Sequence, residues 1–182
     1  MAELHKALEL LDFWWKAGRK NWFGGGPNFD EAIRERFVSD VEAAGRGDYD
    51  PWQATPHGSL ALLLLLDQFP RNLFRGSADS YKFDTKALDV ARSAYEARQF
   101  LAYGPEHRLF FFLPFEHSEN MEDQTLAVDA FRRWGDQDGY HWALVHMDVI
   151  RRFGRFPHRN AVLGRATTPE EQRFLDEGGF SA

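Results

Sequence analysis

A chain of 182 residues with 43% hydrophobic and 15% aromatic side chains has ample material for one buried core and lies far from disordered compositions. Cysteine is absent, which excludes disulfides, thiolate nucleophiles and cysteine-ligated zinc or iron–sulfur centres. A formal net charge of -6, from 22 basic and 28 acidic residues, gives no general attraction to phosphate backbones or anionic lipid, so neither nucleic acid nor membrane is an expected partner.

Leu4, Ala7, Leu8, Leu11 and Trp15 recur at spacings of three and four, which predicts a first helix with one apolar face. Gly18 to Pro27, ending in Gly24-Gly25-Gly26-Pro27, predicts a break anchored by Trp22 and Phe23. A second helix is expected from about Asp30, a good N-cap type, with Ile33, Phe37, Val41 and Ala44 inward until Gly45 and Gly47 end it. Asp48 to Pro56 reads as a polar connector carrying Trp52. Gly58 to Phe69 is apolar all round, the pattern of a helix surrounded by others. Its aliphatic run, Leu60 to Leu66, is seven residues against the roughly 20 that a membrane span requires.

Asp84 is expected to cap a fourth helix with Ala87, Leu88, Ala91, Ala94 and Tyr95 as its buried stripe. Gly104-Pro105 starts another, with Leu109 to Leu113 as its apolar body. Asn120 to Trp134 and Tyr140 to Phe153 read as amphipathic helices joined by a turn at Gly135 to Gly139. Thr168-Pro169-Glu170-Glu171 has the residue types of a capping box, and Gly178-Gly179 closes the helix it starts. No segment alternates with a two-residue period beside hairpin signals. The expected fold is a single all-α domain, residues 1–182, of about seven or eight helices in antiparallel pairs stacked as a right-handed, TPR-like array, without a clean repeat of about 34 residues. The start, Met1-Ala2-Glu3-Leu4-His5-Lys6, lacks the features of a signal peptide, and a cytoplasmic location is expected.

The most individual features are two Phe-Pro turns, Phe69 to Asn72 and Phe156 to Asn160, whose prolines are expected to stop helices and whose phenylalanines are expected to plug the core. Around them stand Asp12-Phe13-Trp14, Trp22-Phe23, Phe29-Asp30, Leu65-Leu66-Asp67-Gln68-Phe69-Pro70-Arg71-Asn72, Leu113-Pro114-Phe115-Glu116-His117-Ser118-Glu119, Arg152-Phe153-Gly154-Arg155-Phe156-Pro157-His158-Arg159-Asn160 and Leu163-Gly164-Arg165. In these blocks and their order the chain resembles the bacterial family catalogued as domain of unknown function 924, which implies a TPR-like helical fold over nearly its whole length and no assigned activity. The run Gly24 to Pro27 departs from that family, where a charged loop is more usual.

Two constellations carry candidate chemistry. Asp67, Arg71, Asn72 and Arg75 lie where the all-apolar helix ends, and the spacing of Asp67 and Arg71 lets them pair on one helical face. Arg151, Arg152, Arg155, His158, Arg159, Asn160 and Arg165 form a basic cluster in an acidic chain. Guanidinium groups suit two-point recognition of carboxylate or phosphate. Glu116 and Glu119 are the expected internal partners, since a spacing of three turns both carboxylates one way if their segment is helical. Glu116, His117, Glu119, His146 and His158 contain neither His-Glu-x-x-His nor Glu-x-x-His, so no metal is expected, and no sequence signature implies a cofactor. His146, with Trp142, Val149, Ile150 and Phe153 at helical spacing, reads as a core histidine. Gly-x-Ser-x-Gly is absent, Ser118 reads as a turn or cap residue, and Gly24 to Gly26 lacks the Gly-Lys-Ser/Thr of a phosphate loop. The aromatics Trp14, Trp15, Trp22, Phe23 and Trp52 are expected in core packing.

The expected function is a binding module whose Arg-rich groove takes a peptide or small anionic ligand, through Asp67, Arg71, Asn72, Glu116, His117, Glu119, Arg155, His158, Arg159 and Asn160. The alternatives are a small hydrolase using Glu116, Glu119 or His117 beside an arginine clamp, and a purely structural role for the charged turns. The sequence leaves the oligomeric state open.

Overall fold

The computed structural model describes residues 2–180, with side chains from residue 5 onward; the expected inward placement of Leu4 lies outside the described residues. Helices account for all the regular structure among them. In chain order they are α1 (Ala2–Ala17), α2 (Arg19–Trp22), α3 (Gly26–Arg46), α4 (Pro56–Leu63), α5 (Phe69–Leu73), α6 (Asp84–Glu96), α7 (Pro105–Arg108), α8 (Leu113–Glu116), α9 (Met121–Trp134), α10 (Gln137–Phe153) and α11 (Pro169–Asp176). Tighter 3-10 turns at Asp50–Ala54, Ala78–Tyr81, Gln99–Ala102, Leu109–Phe111 and Pro157–Arg159 lie between them, and a π-helical segment, Leu64–Gln68, joins α4 to α5. Among the described residues no helix is long and apolar enough to cross a membrane.

The chain divides into two compact units, one made of Met1–Arg75 with Asp79–Ala102, the other of Gly76–Ala78 with Tyr103–Ala182. The first is built on the aliphatic run, in which every residue from Leu60 to Leu66 is buried. Trp14, Phe37 and Phe69 close that core, with ring centroids 5.5 Å apart for Trp14 and Phe69 and 5.4 Å for Phe37 and Phe69. Trp22 and Trp52 are buried as expected, whereas Phe23 is 56% exposed beneath the Arg19 guanidinium. Gly58 is required by a close approach: a Cβ there would meet the Trp52 carbonyl oxygen at 2.1 Å.

Several boundaries in this unit differ from the expected ones for local reasons. The second long helix begins at Gly26, not near Asp30, because Pro27 has the φ that a first helical turn needs and no N–H to lose there. The segment Asp48 to Pro56 holds a 3-10 turn, and the Thr55 side chain caps α4 by accepting from the Gly58 N–H. Pro70 does not stop a helix. The wide turn Leu64–Gln68, in which the Phe69 N–H reaches the Leu64 carbonyl, gives the ring room where an α-turn would clash, and α5 runs on to Leu73.

In the second unit the expected helix after Gly104 breaks into α7, a 3-10 turn and α8, with Pro114 in the first turn of α8. Phe110, Phe111, Phe112, Phe115 and Phe131 fill its core. Asp136 caps α10 from Gln137, three residues before the expected start, by accepting from the Gly139 N–H. Gly154 ends α10 in the left-handed region at φ 69°, a conformation glycine adopts without a Cβ penalty. The capping box of α11 forms as its residue types suggest: Thr168 Oγ1 accepts from the Glu171 N–H and Glu171 Oε2 accepts from the Thr168 N–H. Phe156 is fully buried.

Phe69 plugs the first unit, so Phe69→Ala is expected to cost about 3–5 kcal/mol, the usual loss for emptying a buried aromatic site. Chemical denaturation checks this, and a loss below about 1 kcal/mol contradicts the plug.

Candidate functional site

The first Phe-Pro segment is a closed ionic lattice. Asp67, 2% exposed, receives Arg71 Nη1 on Oδ1 at 3.0 Å and the Gln68 amide on Oδ2. Arg71 also donates to the Asp67 carbonyl at 2.6 Å and makes a two-point contact with Asp84, 3.0 Å on each oxygen. Burial lowers the pKa of Arg71, but the neighbouring Asp67 and Asp84 outweigh it and hold the group above its ordinary value. Asn72 donates to Asp30 at 2.7 Å, and Arg75 reaches both Asp30 oxygens at 3.2 Å. Asp84, expected as a cap, lies in the first turn of α6 as a partner for Arg71, and Asp30, expected to start a helix, anchors Asn72 and Arg75.

The second segment repeats the device with other partners. Arg155 donates to Glu171 at 2.6 and 2.8 Å and to the Ala166 carbonyl at 2.8 Å. Glu171 is 2% exposed, and the Arg155 hydrogen bonds hold its carboxyl down at about 2 against the opposing effect of burial. Asn160 Nδ2 reaches Glu171 Oε2 at 3.3 Å while its Oδ1 accepts from Arg165 at 3.0 Å. Arg165 grips Glu119 through two bonds of 2.6 and 3.0 Å, and Glu119 also accepts the Phe156 N–H at 2.8 Å. Burial raises the Glu119 pKa, but these donors prevail and keep it below the usual carboxylate range.

Glu116 and Glu119 do not share a face. Helix α8 ends at Glu116, and Asn120 opens α9 by capping Glu122 N–H at 2.7 Å, so the intervening residues are not helical. Gln124 pins this connector by donating to the carbonyls of Glu116 and Ser118 at 2.6 and 2.7 Å. Ser118 is a turn residue as expected, its hydroxyl donating to Asp123 at 2.7 Å and accepting from the Asn120 N–H.

Glu116 instead meets His146, with Oε1 3.0 Å from Nδ1 and both side chains buried. His146 Nδ1 also lies 2.8 Å from the Trp142 carbonyl, an acceptor only, which puts the proton on Nδ1 and the lone pair on Nε2. Burial foremost, then the nearby His117, pushes the His146 pKa down to about 3, so the imidazole is neutral. Its surroundings are aromatic and basic. Phe156 lies 5.6 Å from it edge-on, His117 at 6.2 Å and Phe180 at 4.2 Å between centroids. His158 packs 5.6 Å from Phe156 and 5.5 Å from Phe180, and its Nδ1 is buried with no hydrogen-bond partner among the described residues. Burial and then Arg159 lower the His158 pKa to about 4, with His117 and Arg165 acting in the same direction and Glu119 against. Arg159 is itself buried, its guanidinium 4.5 Å from the Phe156 ring centre.

The residues expected to bind together fall in both compact units. Asp67, Arg71 and Asn72 belong to the first compact unit; Glu116, His117, Glu119, Arg155, His158, Arg159 and Asn160 belong to the second. Within the second, His146, His158 and Arg159 pack on Phe156, and Glu116 and His117 lie beside His146. Among the described residues no group of three or more histidine and carboxylate side chains has a geometry able to hold a metal ion. Sequence reasoning missed Asp30, Asp84 and Glu171 as arginine partners because they lie 13 to 45 positions from the arginine they meet. It also missed Phe180, which the Gly178-Gly179 stop signal hid. Phe180 further lines a groove of about 290 Å³ with His141, Leu144, Val145, Asp148, Val149 and Phe174.

Fold and site together define an all-α protein in which an arginine at each Phe-Pro segment holds a buried carboxylate, Arg71 on Asp67 and Arg155 on Glu171. Residues 10–179 match the family described as Bacterial protein of unknown function (DUF924), and the chain belongs to it. A solved structure of a protein of unknown function from Agrobacterium tumefaciens is 44% identical in sequence, covers 96% of this chain and 98% of its own, and superposes with a TM-score of 0.92. No curated protein matches the chain.

Two expectations follow for stability. Arg71→Ala leaves Asp67 buried without its cation and should cost about 3–5 kcal/mol, measured by urea denaturation at pH 7. Neutral His146 and His158 are favoured in the folded state, so their stabilisation is complete above about pH 6.5 and is lost as pH falls toward 4 and then 3. Between pH 7 and 4.5 the unfolding free energy should drop by about 2–4 kcal/mol, allowing for solvent screening of the half-buried His158, and less in His158→Gln.

Proposed function

We propose that the protein is a helical, TPR-like binding module for a small anionic ligand, and that the site lies at His158 and Arg159 of the second unit. The observation that carries this reading is the buried Nδ1 of His158, which has no hydrogen-bond partner among the described residues and whose protonation is opposed by burial first and then by the neighbouring Arg159 charge, with Glu119 acting the other way. A buried polar atom in a positive field is completed by an anion, which accepts a hydrogen bond and makes the protonated imidazole favourable. Arg71, Arg75, Arg155 and Arg165 hold carboxylates of the chain itself, which supports a structural role for those four rather than the wider arginine groove.

A hydrolase reading draws support from the buried Glu116–His146 contact, which leaves Nε2 of His146 as the basic nitrogen. Glu119 is a poor proton donor in it, being held ionised by Arg165.

The test is an NMR titration of the histidine side chains against inorganic phosphate and acetate. On the anion reading, either ion shifts the His158 signals and raises its pKa by about one unit or more, while Arg159→Gln abolishes the response. A His158 titration curve unchanged by both ions at tens of millimolar refutes it. Turnover of a hydrolase substrate panel that disappears in Glu116→Gln with the fold intact would favour the enzyme instead.

A further inference from the structure

Phe180 separates two features that are complementary to the two ends of an amphiphilic acid. One face of its surroundings is the polar cluster, with His146 at 4.2 Å and His158 at 5.5 Å between ring centroids. The other is the apolar groove, walled by Leu144, Val149 and Phe174, with the 44% exposed Trp142 ring 6.1 Å away. The groove's acidic residue, Asp148, is paired with Arg151 at 2.8 Å.

The ring is also placed to move. It belongs to no helix: α11 ends at Asp176, and Gly178, at φ 76°, and Gly179 intervene. Displacing the ring costs its packing on Phe156, His146, His158 and Trp142 and, if the turn moves with it, the bonds from the Gly178 and Gly179 N–H groups to the Leu175 and Phe174 carbonyls at 3.1 and 2.9 Å. A phenyl ring supplies apolar contact at this position and no carboxylate or carbonyl acceptor for the buried Nδ1 of His158.

We propose that Phe180 is a displaceable plug, and that the ligand taking its place is a carboxylic acid with an apolar chain or ring, its carboxylate at His158 and Arg159 and its apolar part in the groove beside Leu144, Val149 and Phe174. This rests on the anion reading above and adds the ligand class and the gate. A groove near 290 Å³ lies at the lower end of small-molecule sites, roughly 300–1,000 Å³, which suits a single short chain or one ring.

Affinities of acetate, octanoate and phenylacetate for the wild-type chain and Phe180→Ala, read from the His158 and His146 NMR signals, test the proposal. Octanoate and phenylacetate should bind the wild type at least tenfold more tightly than acetate, and Phe180→Ala should tighten both severalfold because no ring has to be displaced. If Phe180→Ala disturbs the fold, Phe180→Leu is read in its place and should fall between. The plug is overturned if octanoate binds no better than acetate, or if removing the ring weakens octanoate. In those cases a His158 response to acetate and phosphate leaves the anion site standing; silence toward every acid and phosphate removes both.

Discussion

A carboxylate withdrawn from water needs a cation held close, and each Phe-Pro segment of this chain is organised around that requirement. Asp67 is buried at the π-turn and is neutralised by Arg71, which a second carboxylate, Asp84, holds in place. Glu171 is buried at the start of α11 and is neutralised by Arg155. Removing either cation would leave a buried carboxylate without its main partner. The same capping-box glutamate both starts α11 and receives Arg155, which couples a local helix signal to a contact sixteen residues away.

The arginine surplus that makes the sequence distinctive is therefore largely internal. Arg155 and Arg165 spend their donors on Glu171, Glu119, Asn160 and backbone carbonyls. Around Arg159 the environment differs in kind, because its neighbours include aromatic rings and two imidazoles kept neutral by burial.

Helical neighbours were legible where one element contains the whole signal. The stripe Ile33, Phe37, Val41 and Ala44, the aliphatic run, the capping box at Thr168 and the core position of His146 all follow from local spacing, and the structure agrees with each. Pro70 was misread because a proline's effect depends on the turn before it: the widened turn Leu64–Gln68 removes the clash that ends an ordinary helix. Glu116 and Glu119 could share a face only if their segment were helical, and that condition fails: α8 ends at Glu116 and Asn120 caps the next helix.

The sequence by itself determined the all-α class, the family, most helix positions and the residue types of the two Phe-Pro segments. Each of those rests on interactions within one helical turn or on a continuous apolar pattern. Only the tertiary structure decided which carboxylate each arginine holds, that Glu116 faces His146, and that Phe180 packs against His146 and His158. Those partners come from different elements within one unit, and contact across elements depends on how helices pack, which no short-range spacing encodes.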